Sequence, residues 1–164
     1  MILEKIELKA EEVLSVLKIK SIPVPVEVIA NKLKIRISRA PSRDFSGLLI
    51  RKDGSALIGV NSNEVAVRQR FTIAHELGHF LLHLQKDTFV DYRDNKKAVM
   101  RTPRERQANM FAAALLMPRG SLENDFRAFT NKGFTEVELQ VLADKYQVSE
   151  DAMRFRLINL RLKT

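Results

Sequence analysis

Cysteine and tryptophan are absent from this sequence, and no internal repeat, low-complexity tract or glycine- and serine-rich linker interrupts it. Without cysteine the chain can form neither a disulfide framework nor a thiolate zinc site, and it offers no cysteine nucleophile. The absence also fits a reducing compartment. The chain is therefore expected to fold as one compact unit through its apolar core alone.

Long apolar runs are missing as well. No stretch reaches the roughly 18 apolar residues that a membrane-spanning helix needs. The first residues, MILEKIE, lack the basic start and the unbroken apolar segment of a secretory signal. We therefore expect a soluble, cytoplasmic protein with no membrane partner.

Acidic residues are outnumbered, with 20 against 28 lysines and arginines, which gives a net charge of +8. Residues 67–120 hold ten basic and five acidic residues, whereas residues 121–164 are neutral. A basic region attracts polyanions, but it equally suits an acidic peptide or simple solubility. We interpret the charge as background and expect no nucleic-acid partner.

Apolar periodicity predicts an α+β fold. Helices are expected at residues 3–18, 26–33, 65–84 and 103–117. Short strands are expected at 34–38, 46–50 and 55–60, all between the second and third helices. The last two strands flank Lys52-Asp53-Gly54, which is typical of a hairpin turn. The strands predict a small antiparallel sheet, and residues 85–102 predict a polar loop that can include a further strand at 88–92.

The C-terminal part of the sequence predicts helices alone, at residues 122–129, 135–146 and 149–161. We expect two parts, a zincin-like core over residues 1–120 and a C-terminal helical subdomain over residues 121–164 that is packed on it. Within this bundle an apolar stripe is expected to face inward. Its members are Leu139, Leu142, Met153, Leu157 and Leu160.

The motif His75-Glu76-Leu77-Gly78-His79 carries the chemistry. It matches the H-E-x-x-H pattern of zinc hydrolases and lies inside a predicted helix. Four residues apart, the two histidines share one helix face, so both imidazoles can reach one Zn²⁺ ion. A carboxylate at Glu76 can then take a proton from the water bound to that ion, acting as the catalytic base.

A catalytic zinc site needs a third protein ligand. His83 is one turn further on, but it lies about 12 Å from His75 along the helix axis, which argues against a shared ion. We interpret His83 as a residue behind the ligands, as one on the substrate side, or as a partly buried helix histidine. Three further rivals, the loop carboxylates Asp87, Asp91 and Asp94, lie close to the first helix.

Glu105 is the better candidate for the third ligand. It lies on a second predicted helix, in one stripe with Asn109, and several alanines would let this helix approach the first one closely. Asn109 could hydrogen-bond the free nitrogen of a ligating histidine and fix its tautomer. The alternative for Glu105 is a solvated carboxylate paired with Arg101 or Arg104.

Two segments together resemble the ImmA/IrrE-type zinc metallopeptidases. They are RFTIAHELGHFLLH at residues 70–83 and ERQANMFAAALLMP at residues 105–118. The family joins an H-E-L-G-H helix to a downstream E-x-x-A-N-x-F-A-x-x-L-L-M-P segment, and both stand here intact. Weaker similarities at residues 25–30 and 142–157 extend the likeness over most of the chain.

The resemblance implies His75, His79 and Glu105 as zinc ligands and Glu76 as catalytic base. It also implies a protein substrate, because members often cleave helix-turn-helix repressors of mobile elements or act in stress-response derepression. The chain would then be a short form without the additional domains of some relatives. For stabilisation of the oxyanion, Tyr92, His83 and an arginine of residues 93–104 stay open.

Two other functions compete with the peptidase. Residues 141–160 can be interpreted as a helix-turn-helix of a DNA-binding regulator, with Arg154, Arg156, Arg161 and Lys163 supplying positive charge. The neutral charge of residues 121–164 argues against it. A degenerate peptidase that binds a repressor without cutting it is the other, although the base and the proposed ligands are all present.

Overall fold

A computed structural model describes residues 2–84, 88–92, 102–129 and 133–162 of the chain. The predicted helices and strands are present, with ends shifted by a few residues. In chain order they are α1 (Ile2–Val16), α2 (Val26–Lys32), β1 (Ile35–Ala40), β2 (Phe45–Lys52), β3 (Ser55–Asn61), α3 (Ala66–Leu82), β4 (Thr88–Tyr92), α4 (Pro103–Leu116), α5 (Arg119–Phe129), α6 (Glu136–Tyr146) and α7 (Glu150–Asn159).

The α+β class is confirmed, but the expectation of a wholly antiparallel sheet is wrong. The four strands lie in the order β1-β3-β2-β4, and β1 pairs with β3 in parallel while the other pairings are antiparallel. Asp53 and Gly54 both have positive φ, as the tight turn between β2 and β3 requires. The second strand of this hairpin, β3, lies between β1 and β2. It runs antiparallel to β2 and parallel to β1.

Helix α3 lies against β2 and β3 on one side and against α4 on the other. The close approach of the two helices depends on Gly78, because a Cβ atom there would lie 3.1 Å from the Cα atom of Ala108. The small residues predicted for α4 therefore do bring the two helices together. This contact decides which side chains of α3 and α4 can meet.

The C-terminal helices bury the predicted apolar stripe, since Leu139, Leu142, Met153, Leu157 and Leu160 are all less than 9% exposed. These residues belong to one buried cluster with apolar residues of α1, α3 and α4. The division of the chain at residue 120 stays a prediction. None of the described helices combines the length and the apolar composition needed to cross a bilayer.

A buried ion pair joins the two ends of the described chain. Arg156 of α7 is 5% exposed and donates a hydrogen bond of 2.8 Å to the carboxylate of Glu7 on α1. Its Nε atom donates to the backbone carbonyl of Met117, directly after α4. Arg156 therefore fastens α7 to both α1 and the end of α4.

Candidate metal centre

Helix α3 presents His75 and His79 to α4, on the side turned away from the buried Ile73 and Leu77. Both histidine side chains are nearly enclosed, with 5% and 1% of their surface exposed. Glu105 reaches them from the first turn of α4 and is 13% exposed. The two helices thus bring the three predicted ligands together.

The three side chains lie at mutually short distances. His75 Nε2 is 3.0 Å from one carboxylate oxygen of Glu105, and His79 Nε2 is 3.2 Å from the other. The two Nε2 atoms are 3.1 Å apart. Each residue offers a ligand atom within 4.8 Å of the others. A tetrahedral zinc shell with bonds of about 2.0–2.1 Å has neighbouring ligand atoms roughly 3.3 Å apart. The donor set therefore fits a zinc ion in chemistry and in spacing.

Hydrogen bonds on the far side of each imidazole orient it toward the centre. His75 Nδ1 is 2.8 Å from Asn109 Oδ1, and an amide oxygen can only accept, so Nδ1 carries the proton. Nε2 of His75 is then available as a metal donor. The contact predicted for Asn109 is thus present, and it fixes the tautomer that ligation requires.

His79 is held by a relay that runs away from the centre. His79 Nδ1 lies 2.9 Å from His83 Nδ1, and His83 Nε2 lies 3.0 Å from Gln107 Oε1. Because the amide oxygen accepts, His83 donates from Nε2 and accepts at Nδ1 from His79. His83 therefore lies behind the proposed ligand His79, which is the first of the three interpretations that the sequence left open. The contact of Gln107 with His83 was not predicted, because the sequence shows only an amide side chain on the helix that carries Glu105.

The protonation states also suit ligation. Burial lowers the pKa of His79 to about 4, although its hydrogen bond with Glu105 acts in the opposite direction. Burial acts to raise the pKa of Glu105, but the contacts with His75 and His79 outweigh it and lower that pKa to about 2. At neutral pH the imidazole of His79 is neutral and the carboxylate is ionised, as metal donors must be.

Glu76 belongs to α3, and its side chain is fully buried where this helix packs against strand β2. A Cβ atom at Gly47 of β2 would overlap the methyl group of Thr72 and would lie 3.3 Å from Glu76 Oε1. The missing side chain at Gly47 lets the strand pass directly over the carboxylate. Glu76 therefore occupies a tight space beside the strand.

Several other candidates from the sequence lie wholly or partly outside what the structure describes. Asp87, Asp94 and residues 93–101 lie outside the described residues. Asp91 and Tyr92 belong to strand β4, where their backbones pair with Gly47 and Phe45. Instead of pairing with Arg104, Glu105 contacts the two imidazoles.

Two of the three arginines that favoured a DNA-binding function have carboxylate partners. Arg154 of α7 donates two hydrogen bonds to Glu136 of α6, one of them 3.0 Å long. Arg156 is buried and paired with Glu7. Side chains engaged in this way are poorly suited to reaching phosphates, which argues against α7 as a recognition helix.

Removing the hydrogen-bond acceptor at Asn109 should weaken metal binding. We expect Asn109→Leu to lower zinc affinity about 10–100-fold, the usual effect of losing an outer hydrogen bond to a ligating histidine. Asn109→Asp keeps an acceptor and should stay close to the wild type. Competition with a chromophoric chelator measures both variants. Equal affinity of the Leu variant and the wild type would show that Asn109 does not orient His75.

Comparisons with known proteins agree with this geometry. Residues 30–158 match the family model of the IrrE N-terminal-like domain, Peptidase_M78. The chain is 34% identical over 84 residues to metallopeptidase ImmA of Bacillus subtilis, an alignment covering 51% of this chain and 48% of that protein. It is 31% identical over 147 residues to the radiation response metalloprotease IrrE of Deinococcus deserti, with 74% of this chain and 52% of IrrE covered.

The chain thus spans about half the length of each of these two relatives. The family match, in contrast, extends over most of the chain and includes both helices of the candidate metal centre. From α2 to α7, the sequence follows the family model. The chain therefore belongs to the ImmA/IrrE metallopeptidase family.

Proposed function

We propose that this protein is a zinc-dependent endopeptidase that hydrolyses one peptide bond in a protein substrate. The observation that carries the proposal is the group of His75, His79 and Glu105, whose donor atoms are spaced as a tetrahedral zinc shell requires. His75 and His79 donate hydrogen bonds from Nδ1 to Asn109 and His83, which leaves the lone pair of each Nε2 atom available to a metal ion.

Bound zinc supplies Lewis acidity, which polarises a peptide carbonyl and lowers the pKa of water. Glu76, the neighbour of His75 in sequence, acts as the general base. Its carboxylate accepts a proton as the water oxygen attacks the carbonyl carbon, and it returns that proton to the leaving nitrogen. The C–N bond breaks, and the products are one new carboxylate and one new amine.

The proposed substrate is a helix-turn-helix transcriptional repressor of a mobile element or a stress response. The family resemblance supports this class, and two relatives are named a metallopeptidase and a radiation response metalloprotease. Such a repressor acts on cytoplasmic DNA, so we place the activity in the cytoplasm. Cleavage would relieve repression without any contact between the peptidase and DNA.

Metal analysis and a cleavage assay on the same preparation test the proposal. We expect one zinc ion per chain and a single cut, located by mass spectrometry, in a purified helix-turn-helix repressor chosen from the genes that neighbour the gene of this protein. A strong chelator should abolish the cut, and added zinc should restore it. Zinc-free protein, or cleavage that continues in the chelator, would contradict the proposal. Binding of the repressor without a cut would favour the degenerate peptidase.

A further inference from the structure

A cavity of about 520 Å³ lies directly beside the candidate metal ligands. His75, Glu105 and Asn109 line its inner end, and the rest of its wall comes from α3, α4, α7 and the residues just before α3 and α7. Ligand sites in proteins commonly have volumes of about 300–1,000 Å³. The cavity can therefore hold part of a polypeptide whose backbone passes the metal ligands.

The wall away from the metal ligands is mainly apolar. Phe71 stands one helical turn before His75, Met110 and Ala113 follow on α4, and Ala152 and Phe155 face them from α7. Phe155 is 66% exposed although it is a large aromatic residue. An exposed aromatic residue at the edge of an apolar cavity marks a surface suited to apolar contact.

The arginines of the lining have carboxylate partners. Arg156 is bonded to Glu7 at 2.8 Å, and Arg68 Nε lies 3.7 Å from a carboxylate oxygen of Glu64. At the inner end, Glu105 is engaged with the two histidines. A charged substrate side chain would have to compete with these pairs, whereas an apolar one would gain by leaving water.

We propose that this cavity is the specificity subsite of the peptidase and takes one large apolar side chain, aromatic or aliphatic, next to the bond that is cut. The inference rests on the proposed function. It adds that helix α7 selects the substrate, because Ala152 and Phe155 form the wall opposite α4. The neutral C-terminal helices thereby acquire a direct part in recognition.

Two small hydroxamates test the subsite without any cleavage. Acetohydroxamate and 3-phenylpropanohydroxamate share the same zinc-binding group and differ by one benzyl group. We expect the second compound to bind zinc-loaded protein at least about tenfold more tightly, within the range for apolar groups in protein pockets. Isothermal titration calorimetry gives both affinities, and their ratio reports on the cavity.

Variants on α7 connect that ratio to the cavity. Ala152→Phe should bring the ratio of the two hydroxamate affinities close to one, because the larger side chain fills the cavity. Phe155→Ala should lower this ratio several-fold, because it removes part of the cavity wall. Ile158→Ala is the matched control, because Ile158 is also exposed on α7 but does not line the cavity. All variants should bind acetohydroxamate and zinc as the wild type does, which also shows that they are folded.

The outcomes separate the two proposals. If zinc-loaded protein binds neither hydroxamate, the proposed metal centre is wrong. If acetohydroxamate binds but the ratio is near one in the wild type, or unchanged in Ala152→Phe, the subsite is wrong while the metal centre stands. A wild-type dimer that becomes monomeric in Phe155→Ala would also overturn the subsite, because a second copy would then be covering the cavity.

Discussion

Replacing Glu76 by glutamine is expected to reduce peptide cleavage by about 10²- to 10⁴-fold, the range that general acid–base catalysis supplies. The amide cannot accept the proton of the attacking water, and it has nearly the shape of the carboxylate. The side chain is fully buried beside Gly47, so a substitution of similar size is needed to preserve the packing. Zinc content should stay at one ion per chain, because Glu76 is not among the proposed ligands.

The matched control for this variant is Glu11→Gln, the same chemical change at an exposed position of α1. Cleavage rates should be measured for both variants with the same repressor, together with zinc content by elemental analysis. Wild-type cleavage by the Glu76 variant would refute the assignment of the base. Loss of zinc in that variant would instead point to Glu76 as a ligand.

Replacing Glu105 by alanine is expected to lower zinc affinity by more than about 100-fold, beyond what the loss of an outer hydrogen bond costs. It removes the one donor that α4 contributes to the centre and leaves two histidines on a single helix. Cleavage should be lost with the metal. Chelator competition measures the affinity, and calorimetry measures the effect on the free energy of unfolding of the metal-free protein.

Glu138→Ala is the control, because Glu138 occupies the same position in its helix. Thr102 caps α4 and Thr135 caps α6, and in each case a glutamate follows three residues later. Glu138 closes a capping box with Thr135, whereas the carboxylate of Glu105 is directed to the imidazoles. The control should lower stability slightly, because it removes one of the two side chains of the capping box, and it should leave zinc affinity unchanged. A similar zinc affinity for both variants would remove Glu105 from the ligand set.

The sequence was most informative where local periodicity decides the structure. The register of His75 and His79 on a helix depends only on the helical repeat, and it holds in α3. The stripe of Glu105 and Asn109 is equally local. The contact of Glu105 and Asn109 with the histidines depends, in contrast, on the packing of two segments that are distant in sequence. Small residues such as Ala108 indicated that the two helices could approach each other closely.

Strand direction was beyond such reasoning. Side chains alternate with a period of two in parallel and antiparallel strands alike, so the pattern of Ile35 and Ile37 in β1 fits either direction. The direction of β1 relative to its neighbour depends on the tertiary arrangement, in which β3 lies between β1 and β2 and pairs with β1 in parallel. The possible strand at residues 88–92 extends the predicted three strands to four by pairing with β2.

The outer contacts of the centre were predicted in part. Asn109 stands one helical turn after Glu105, and this regular spacing made its role accessible. Gln107 has no such relation to Glu105, and its contact depends on where His83 points. The cavity was missed for a similar reason, because Phe71, Met110 and Phe155 belong to three separate helices.

The ion pair between Glu7 and Arg156 indicates that the folded unit extends beyond the residues that the family model matches. The family model matches residues 30–158 and so omits α1, which supplies the carboxylate for an arginine that lies within the match. Removing the carboxylate alone would leave an enclosed guanidinium with no counter-ion, a defect of about 3–5 kcal/mol, and a fragment cut at that boundary would also lose the apolar residues that α1 adds to the buried cluster. That is a large share of the 5–15 kcal/mol by which a typical domain is stable. Domain borders drawn from homology would here divide a single cooperative structure.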